Sequence, residues 1–354
     1  MNQLIIATGY MGSGSSAVTD LISETASISV ANGSYEYIFM HCPNGLFDLE
    51  DKLLIGNNAI RSDEAVHSFI REMDLLYNNS NYWPGSYKKT VSRQFMKYVD
   101  EFIAEISTSV FDESIWYYQV RPITIKQNAL CLARRLLTKI SLGKVHMKPP
   151  VNYKKMIIAF PESKVFYSAA KKFLNNILID MGLGDGSILA DQLVLPHNLF
   201  RMDHYFDDNT RVIVVDRDPR DVFLLNKYIW NCRGMRIPYP FDALSFCRFY
   251  REMRKSERPS TFERILRIHF EDLIYNYDEA IKEIFDFIGI DYSTHINKFS
   301  AFCPNKSIIN TQIFNRNPEY MKEAQIIEKE LAEYLYDFPK LSVEETDMNE
   351  KDMF

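Results

Sequence analysis

Glycine is scarce in this sequence, with 13 in 354 residues, about half the usual share of roughly 7%. Cysteine is scarcer. Cys42, Cys131, Cys232, Cys247 and Cys303 are odd in number, widely scattered and without a CxxC pair. That excludes a disulfide framework and a cysteine zinc site, and it predicts reduced, mostly buried thiols. No run approaches the roughly 18 apolar residues of a membrane span. The first residues, Met1 to Gly14, lack the basic region and apolar stretch of a signal peptide, so the expected location is the cytoplasm. Basic charge is not in excess either: 41 lysines and arginines face 47 acidic residues, a net charge of −6. That leaves no concentrated footprint for nucleic acid. What remains, 46% hydrophobic and 25% charged, is ordinary globular composition with enough chain for a sizeable core.

Against this scarcity, Gly9, Gly12 and Gly14 fall within six residues. Leu4-Ile5-Ile6-Ala7 before them suits a strand buried on both faces. Ser15 and Ser16 behind them are cap residues, and Ala17, Val18, Leu21 and Ile22 recur at helical spacing. Strand, glycine loop and helix in that order aim backbone N–H groups at one point beside a helix N-terminus, which is an anion site, usually for phosphate. Gly9 to Ser16 fits the phosphate-loop pattern of nucleotide hydrolases except that Ser15 stands where the lysine belongs. The dinucleotide pattern fits only with Ala17 as its last glycine.

A second strand candidate, Arg211 to Asp216, runs into Arg217-Asp218-Pro219-Arg220-Asp221-Val222. Asp218 reads as an N-cap and Pro219 as the first helical residue, with Phe223 to Trp230 continuing the helix. Ligands of parallel α/β sheets bind at the carboxyl ends of the strands. Arg217, where this strand emerges, is therefore suited to a bidentate phosphate contact. Asp216 could instead hold magnesium, as in a lysine-less P-loop kinase or nucleotide hydrolase.

Together the two motifs resemble the sulfotransferase superfamily, whose donor is 3′-phosphoadenosine 5′-phosphosulfate (PAPS). Over Met11 to Ser16, the last four residues, Ser13-Gly14-Ser15-Ser16, match that family's 5′-phosphosulfate loop, which carries a hydroxyl residue in place of the lysine. Arg217 to Val222 is similar throughout to its 3′-phosphate motif. Leu266 to Leu273, with the helix from Glu279 to Ile288 closed by Gly289, resembles a third family segment. Pro304-Asn305-Lys306-Ser307 with Asn310 resembles the C-terminal donor loop. The resemblance covers about residues 3–25 and 185–315. It implies an α/β fold, a central mostly parallel sheet flanked by helices, as one domain over 1–340. Residues of about 60–180 would form a helical acceptor-side insertion, and 341–354 an acidic tail. It implies PAPS as donor, adenosine 3′,5′-bisphosphate as product, no metal, and a hydroxyl-bearing acceptor. The donor contacts would be Gly12, Ser13, Gly14, Ser15, Ser16, Arg217, Lys306 and Ser307.

Two departures stand out. Gly12 occupies the place of the family's loop cation, for which Lys126, Lys148 or Lys306 could substitute. Leu225 occupies the place of its phosphate-binding serine, with Asn226 one residue later able to serve. Loss of these groups keeps open a relative that binds the nucleotide without catalysis. The general base is expected in Tyr35 to His41. There strand alternation puts Tyr35, Tyr37, Phe39 and His41 on one face and Glu36 on the other. His41 titrates nearest neutrality, and Glu36 lies in a segment resembling the family's acidic element. His197 is a third candidate, and His67, His204 and His295 read as surface positions. Ser62 or Asp63 would cap a helix whose stripe runs from Val66 to Tyr77, and stripes over 95–106 and 130–140 read as core. The 21 tyrosines and 24 phenylalanines could line a pocket for a sterol or phenol. Lys88, Lys89, Arg93 and Arg121 would suit a glycan instead.

Overall fold

The computed structural model describes residues 2–30, 35–80, 84–112, 116–120, 125–147, 155–235, 237–258, 260 and 263–339. Arg121, Lys148 and the acidic 341–354 segment lie outside them. The chain divides into two compact units. One joins Met1–Ile38 to Leu178–Phe354, and the other is Phe39–Ile177.

The strands in chain order are β1 (Leu4–Gly9), β2 (Ile28–Val30), β3 (Ser109–Asp112), β4 (Lys155–Ile158), β5 (Ser187–Asp191), β6 (Arg211–Asp216) and β7 (Ile265–His269). In the first unit, β2, β5, β1, β6 and β7 lie side by side in that order, and every pairing is parallel. All six residues of β1 are buried, as are Val212 to Val215 of β6. Such two-sided burial is why these segments read as unbroken apolar runs. The helix α1 (Ser15–Ser23) returns from β1 and packs Val18, Leu21 and Ile22 against Ile5, Ala7, Ile213 and Val215.

The second unit holds α2 (Leu46–Leu54), α3 (Ala59–Asn78), α4 (Phe95–Ile106), α5 (Ile125–Ile140), α6 (Ser163–Leu178) and the antiparallel pair β3–β4, against which α3 packs. Its core is aromatic. Phe39, Phe69, Phe95, Phe102, Phe166 and Phe173 meet mainly edge to face. The stripe of α3 is core as expected, but its cap is Asn58, which accepts from Arg61 N. Ser62 and Asp63 are instead buried and tie the helix to the β pair. Ser62 Oγ accepts from Ala159 N, and Asp63 accepts from Ile157 N at 2.9 Å.

The first unit continues through α7 (Pro219–Leu224), α8 (Ala243–Lys255), α9 (Tyr277–Ile288) and α10 (Pro318–Glu330). The α9 helix ends on Gly289 at φ 69°, a left-handed C-cap as expected, and joins α1 over the sheet. Phe223, Phe246, Tyr250, Ile313 and Ile327 bind α7, α8 and α10 into a second cluster. Among the described residues no helix is long and apolar enough to cross a membrane. Of the five thiols, Cys42 and Cys247 are buried and Cys232 is exposed.

Candidate active site

The glycine loop sits at the carboxyl edge of the sheet. Gly12 and Gly14 take φ of 82° and 90°, backbone that glycine adopts without strain. The α1 helix starts on Gly14 with no side-chain cap, so neither Ser15 nor Ser16 caps it. Ala17 N donates to the Gly14 carbonyl at 3.0 Å, and the Ser15 and Ser16 N–H groups before it are not capped by a side chain. The Ser15 side chain faces the sheet instead. Its Oγ accepts from Gln192 Nε2 at 2.9 Å, and Gln192 Oε1 accepts from Thr8 Oγ1 at 3.1 Å. A Cβ on Gly14 would stand 2.7 Å from the Phe270 ring. The absence of a side chain at Gly14 thus answers to internal packing as well as to any ligand.

Arg217 leaves the end of β6, adjacent to β1, and is 2% exposed. Its Nη1 donates to the Gly12 carbonyl at 3.0 Å, its Nη2 to the Asn310 carbonyl, and its guanidinium lies over Phe270 at 4.7 Å. One side chain therefore pins the glycine loop to the segment that follows Pro304–Ser307. Asn226 stands beside them. Its Nδ2 donates to Val222 O at 2.8 Å and would lie 3.0 Å from a Cβ placed on Gly12. Four buried polar atoms in this group have no hydrogen-bond partner: Ser13 Oγ, Arg217 Nε, Asn226 Oδ1 and Asn310 Oδ1. Buried polar atoms are almost always paired. Of these, Ser13 Oγ and Arg217 Nε can donate to a phosphate oxygen, whereas the Asn226 and Asn310 amide oxygens accept only and suit a donor such as a ribose hydroxyl. Lys306 is exposed on its short helix and Ser307 half-buried. Arg217 meets this loop at the Asn310 carbonyl.

The turn after Arg217 follows the sequence reading. Asp218 Oδ1 accepts from Arg220 N at 2.8 Å, and Pro219 opens α7. Asp221 accepts from Gln312 N and Ile313 N, each at 2.8 Å. Glu271 accepts from Asp218 N at 2.9 Å. Burial, followed by the Asp218 charge, pushes the Asp221 carboxyl up to about 7. Burial lifts Glu271 to about 8 against the pull of Arg217. Burial likewise lowers Arg217, and the surrounding carboxylates Asp221, Glu271 and Asp218 oppose that.

Asp216 does not hold a metal site open. Arg254 Nη1 donates to its Oδ1 at 2.7 Å and Arg267 Nη1 to its Oδ2 at 3.4 Å. Tyr10 joins this cluster through Glu257, under the Arg254 guanidinium at 4.7 Å, with His197 edge-on at 5.3 Å. His197 bonds Ser256 Oγ at 3.0 Å, and burial and Arg254 lower its pKa. Among the described residues no group of three or more His, Cys, Asp or Glu could hold a metal ion.

Glu36 forms a parallel bridge with Asp191 at the end of β5, and Tyr37 N donates to Asp191 O at 3.0 Å. Asp191 is itself paired with Ala7 of β1. Glu36 thus stands two strand spacings, about 10 Å, from the strand that carries the loop. The chain does not remain extended to His41: it turns from Phe39 onward and enters α2, so the alternation expected through His41 breaks after Ile38. His41 belongs to the second unit.

Asp191 carried no role in the sequence reading. It is 2% exposed, its Oδ1 has no partner, and burial with the neighbouring Glu36 charge raises its carboxyl to about 8. The available signal was a lone acid ending an apolar strand, Ile188-Leu189-Ala190-Asp191. His204 is exposed as expected, but His67 is half-buried beside Asp63. His295 is buried and bonds Glu24 through Nε2 at 2.6 Å. Lys126 is exposed.

Residues 193–333 match the sulfotransferase domain family, a span that includes Arg217 to Val222 and the 304–310 loop but not the glycine loop. No curated protein matches the chain. The sulfotransferase domain from the Synechococcus PCC 7002 olefin synthase is similar in structure, at 14% identity and TM-score 0.42, covering 96% of this chain and 95% of that one. The sulfotransferase domain from the curacin biosynthetic pathway is similar at 12% identity and TM-score 0.41, covering 96% and 98%.

Proposed function

We propose that this member of the sulfotransferase superfamily, whose residues 193–333 form the matching domain, transfers a sulfuryl group from PAPS to an acceptor hydroxyl. The observation that carries the reading is the hydrogen bond from Arg217 to the Gly12 carbonyl. It joins two phosphate-type motifs, some two hundred residues apart, at one sheet edge. Support for the donor comes from the two unpaired hydrogen-bond donors around that contact, Ser13 Oγ and Arg217 Nε. A nucleotide with phosphates on both sides of its ribose would use the α1 N-terminus and Ser13 for one end, and Arg217, Asn226 and the 304–310 loop for the other.

In transfer, the sulfur–oxygen bond to the bisphosphate breaks as the acceptor oxygen bonds to sulfur, and the acceptor proton passes to a base. The residues present would align donor and acceptor and offset charge on the leaving phosphate. Glu36 is the base this reading favours, because its bridge to Asp191 holds it at the end of the sheet that carries the glycine loop. Burial and the neighbouring Glu36 charge raise the Asp191 carboxyl beside it. The acceptor is a glycan hydroxyl or a small hydrophobic alcohol such as a sterol or phenol. A non-catalytic nucleotide-binding relative is the competing reading.

The test is transfer of labelled sulfate from PAPS to a glycan panel and a sterol and phenol panel. Glu36→Gln is expected to lower kcat by about 10²–10⁴-fold, the usual contribution of a general base, with bisphosphate affinity retained. Full activity in Glu36→Gln would remove it as base. Bisphosphate binding without transfer to any acceptor would identify a non-catalytic relative.

A further inference from the structure

A basic, leucine-rich helix of the second unit has no part in the contacts described at the glycine loop and Arg217. Between Glu113 and Glu162 the sequence carries nine lysines and arginines and not one aspartate or glutamate. All 47 acidic residues lie outside this stretch, in a chain of net charge −6. Charge is thus segregated within the second unit. At its centre is α5, whose stripe the periodicity read as core. The structure shows the opposite: Ile125 is 90% exposed, Leu132 59%, Leu136 51% and Ile140 78%.

At about 100° per residue these four, with Leu130 and Leu137, fall within an arc of roughly 160°. Arg134 lies at one border of that arc, and Lys139 with Arg135 at the other. Leu142, just past the helix end, extends the apolar side and is 89% exposed. Lone exposed leucines need no account, but a contiguous apolar patch on a helix does.

We infer that α5 is a membrane-surface element that lays its leucine face into the headgroup region of an anionic bilayer. Charge complementarity selects this occupant. Cations at both borders of an apolar arc can extend outward to lipid phosphates while the leucines enter the acyl boundary. A second copy would set like charge against like charge along the same face. The element lies on the surface and does not span it, and the inference stands whether or not the chain transfers sulfate.

The experiment is flotation of the full chain with phosphatidylcholine vesicles and with phosphatidylcholine–phosphatidylserine vesicles, at low and high salt. Expected is binding to the anionic vesicles at least about tenfold above the zwitterionic ones, weakened by salt. Two variants, Leu132→Ser with Leu136→Ser, and Arg134→Glu with Arg135→Glu and Lys139→Glu, should each abolish it. Because the altered side chains are exposed or half-buried, the melting temperature of both variants should match the parent. No binding to anionic vesicles, or binding retained in both variants, would overturn the inference. So would sedimentation showing a dimer that the leucine variant dissociates.

Discussion

Single residues carry more than one duty in this molecule, and Arg217 is the clearest instance. Its type and place at a strand end were legible in the sequence. Its two bonds to main-chain carbonyls were not, because hydrogen-bond partners ninety and two hundred residues away leave no local pattern. Gly14 is similar: the glycine signals a loop, while the Phe270 ring that also requires it lies far along the chain. Asp191 supplies a test at this scale. Burial and the Glu36 charge lift its carboxyl from the ordinary 3.8 to about 8. The folded state therefore keeps a proton that the unfolded chain releases above about pH 4. The stability this group contributes is complete below that pH and is lost as pH rises toward 8. Asp191→Asn cannot ionise, so its melting temperature relative to the parent should climb between pH 4 and 8. A gap that stays flat or closes over that window would contradict the assignment.

At the scale of elements, the most legible parts were those whose instructions are local. The strand at 211–216, the Asp218 cap, Pro219 at the first helical position and the Gly289 stop all occur where apolar runs and turn chemistry put them. Elements set by tertiary context were read wrongly. The 130–140 stripe has the period of a core helix, yet period alone does not say what the apolar side meets. The extended segment from Tyr35 breaks at Phe39, where Gly45 and Leu46 N–H groups bond back to Cys42 and Phe39 carbonyls. The cap of α3 moved to Asn58 because Ser62 and Asp63 are committed to the β pair. Asp221 tests how α7 is fastened to the segment at 312–313. Asp221→Ala strands the buried Ile313 N–H and the part-buried Gln312 N–H, the buried one worth about 1–3 kcal/mol. A loss of at least about 1 kcal/mol in urea unfolding is expected, less for Asp221→Asn, which keeps one acceptor. Unchanged stability would show the contact to be dispensable.

For the whole molecule, the parallel sheet in the order β2-β5-β1-β6-β7 brings the ends of β1 and β6 together. That is how motifs at residues 9–16 and 217–222 come to share one edge. The sequence resemblance predicted this architecture because both motifs read as strand, turn and helix. The acceptor side stayed illegible, since a pocket for a hydroxyl compound is shaped by packing rather than by a motif. The central claim concerns the donor, and titration calorimetry with adenosine 3′,5′-bisphosphate tests it most directly. The account predicts tight binding without magnesium, weakened in Arg217→Ala by about 1.5–3 kcal/mol, the range for a charge-assisted bond, and preferred over ATP with magnesium. No binding of the bisphosphate, or a preference for magnesium-ATP, would contradict it.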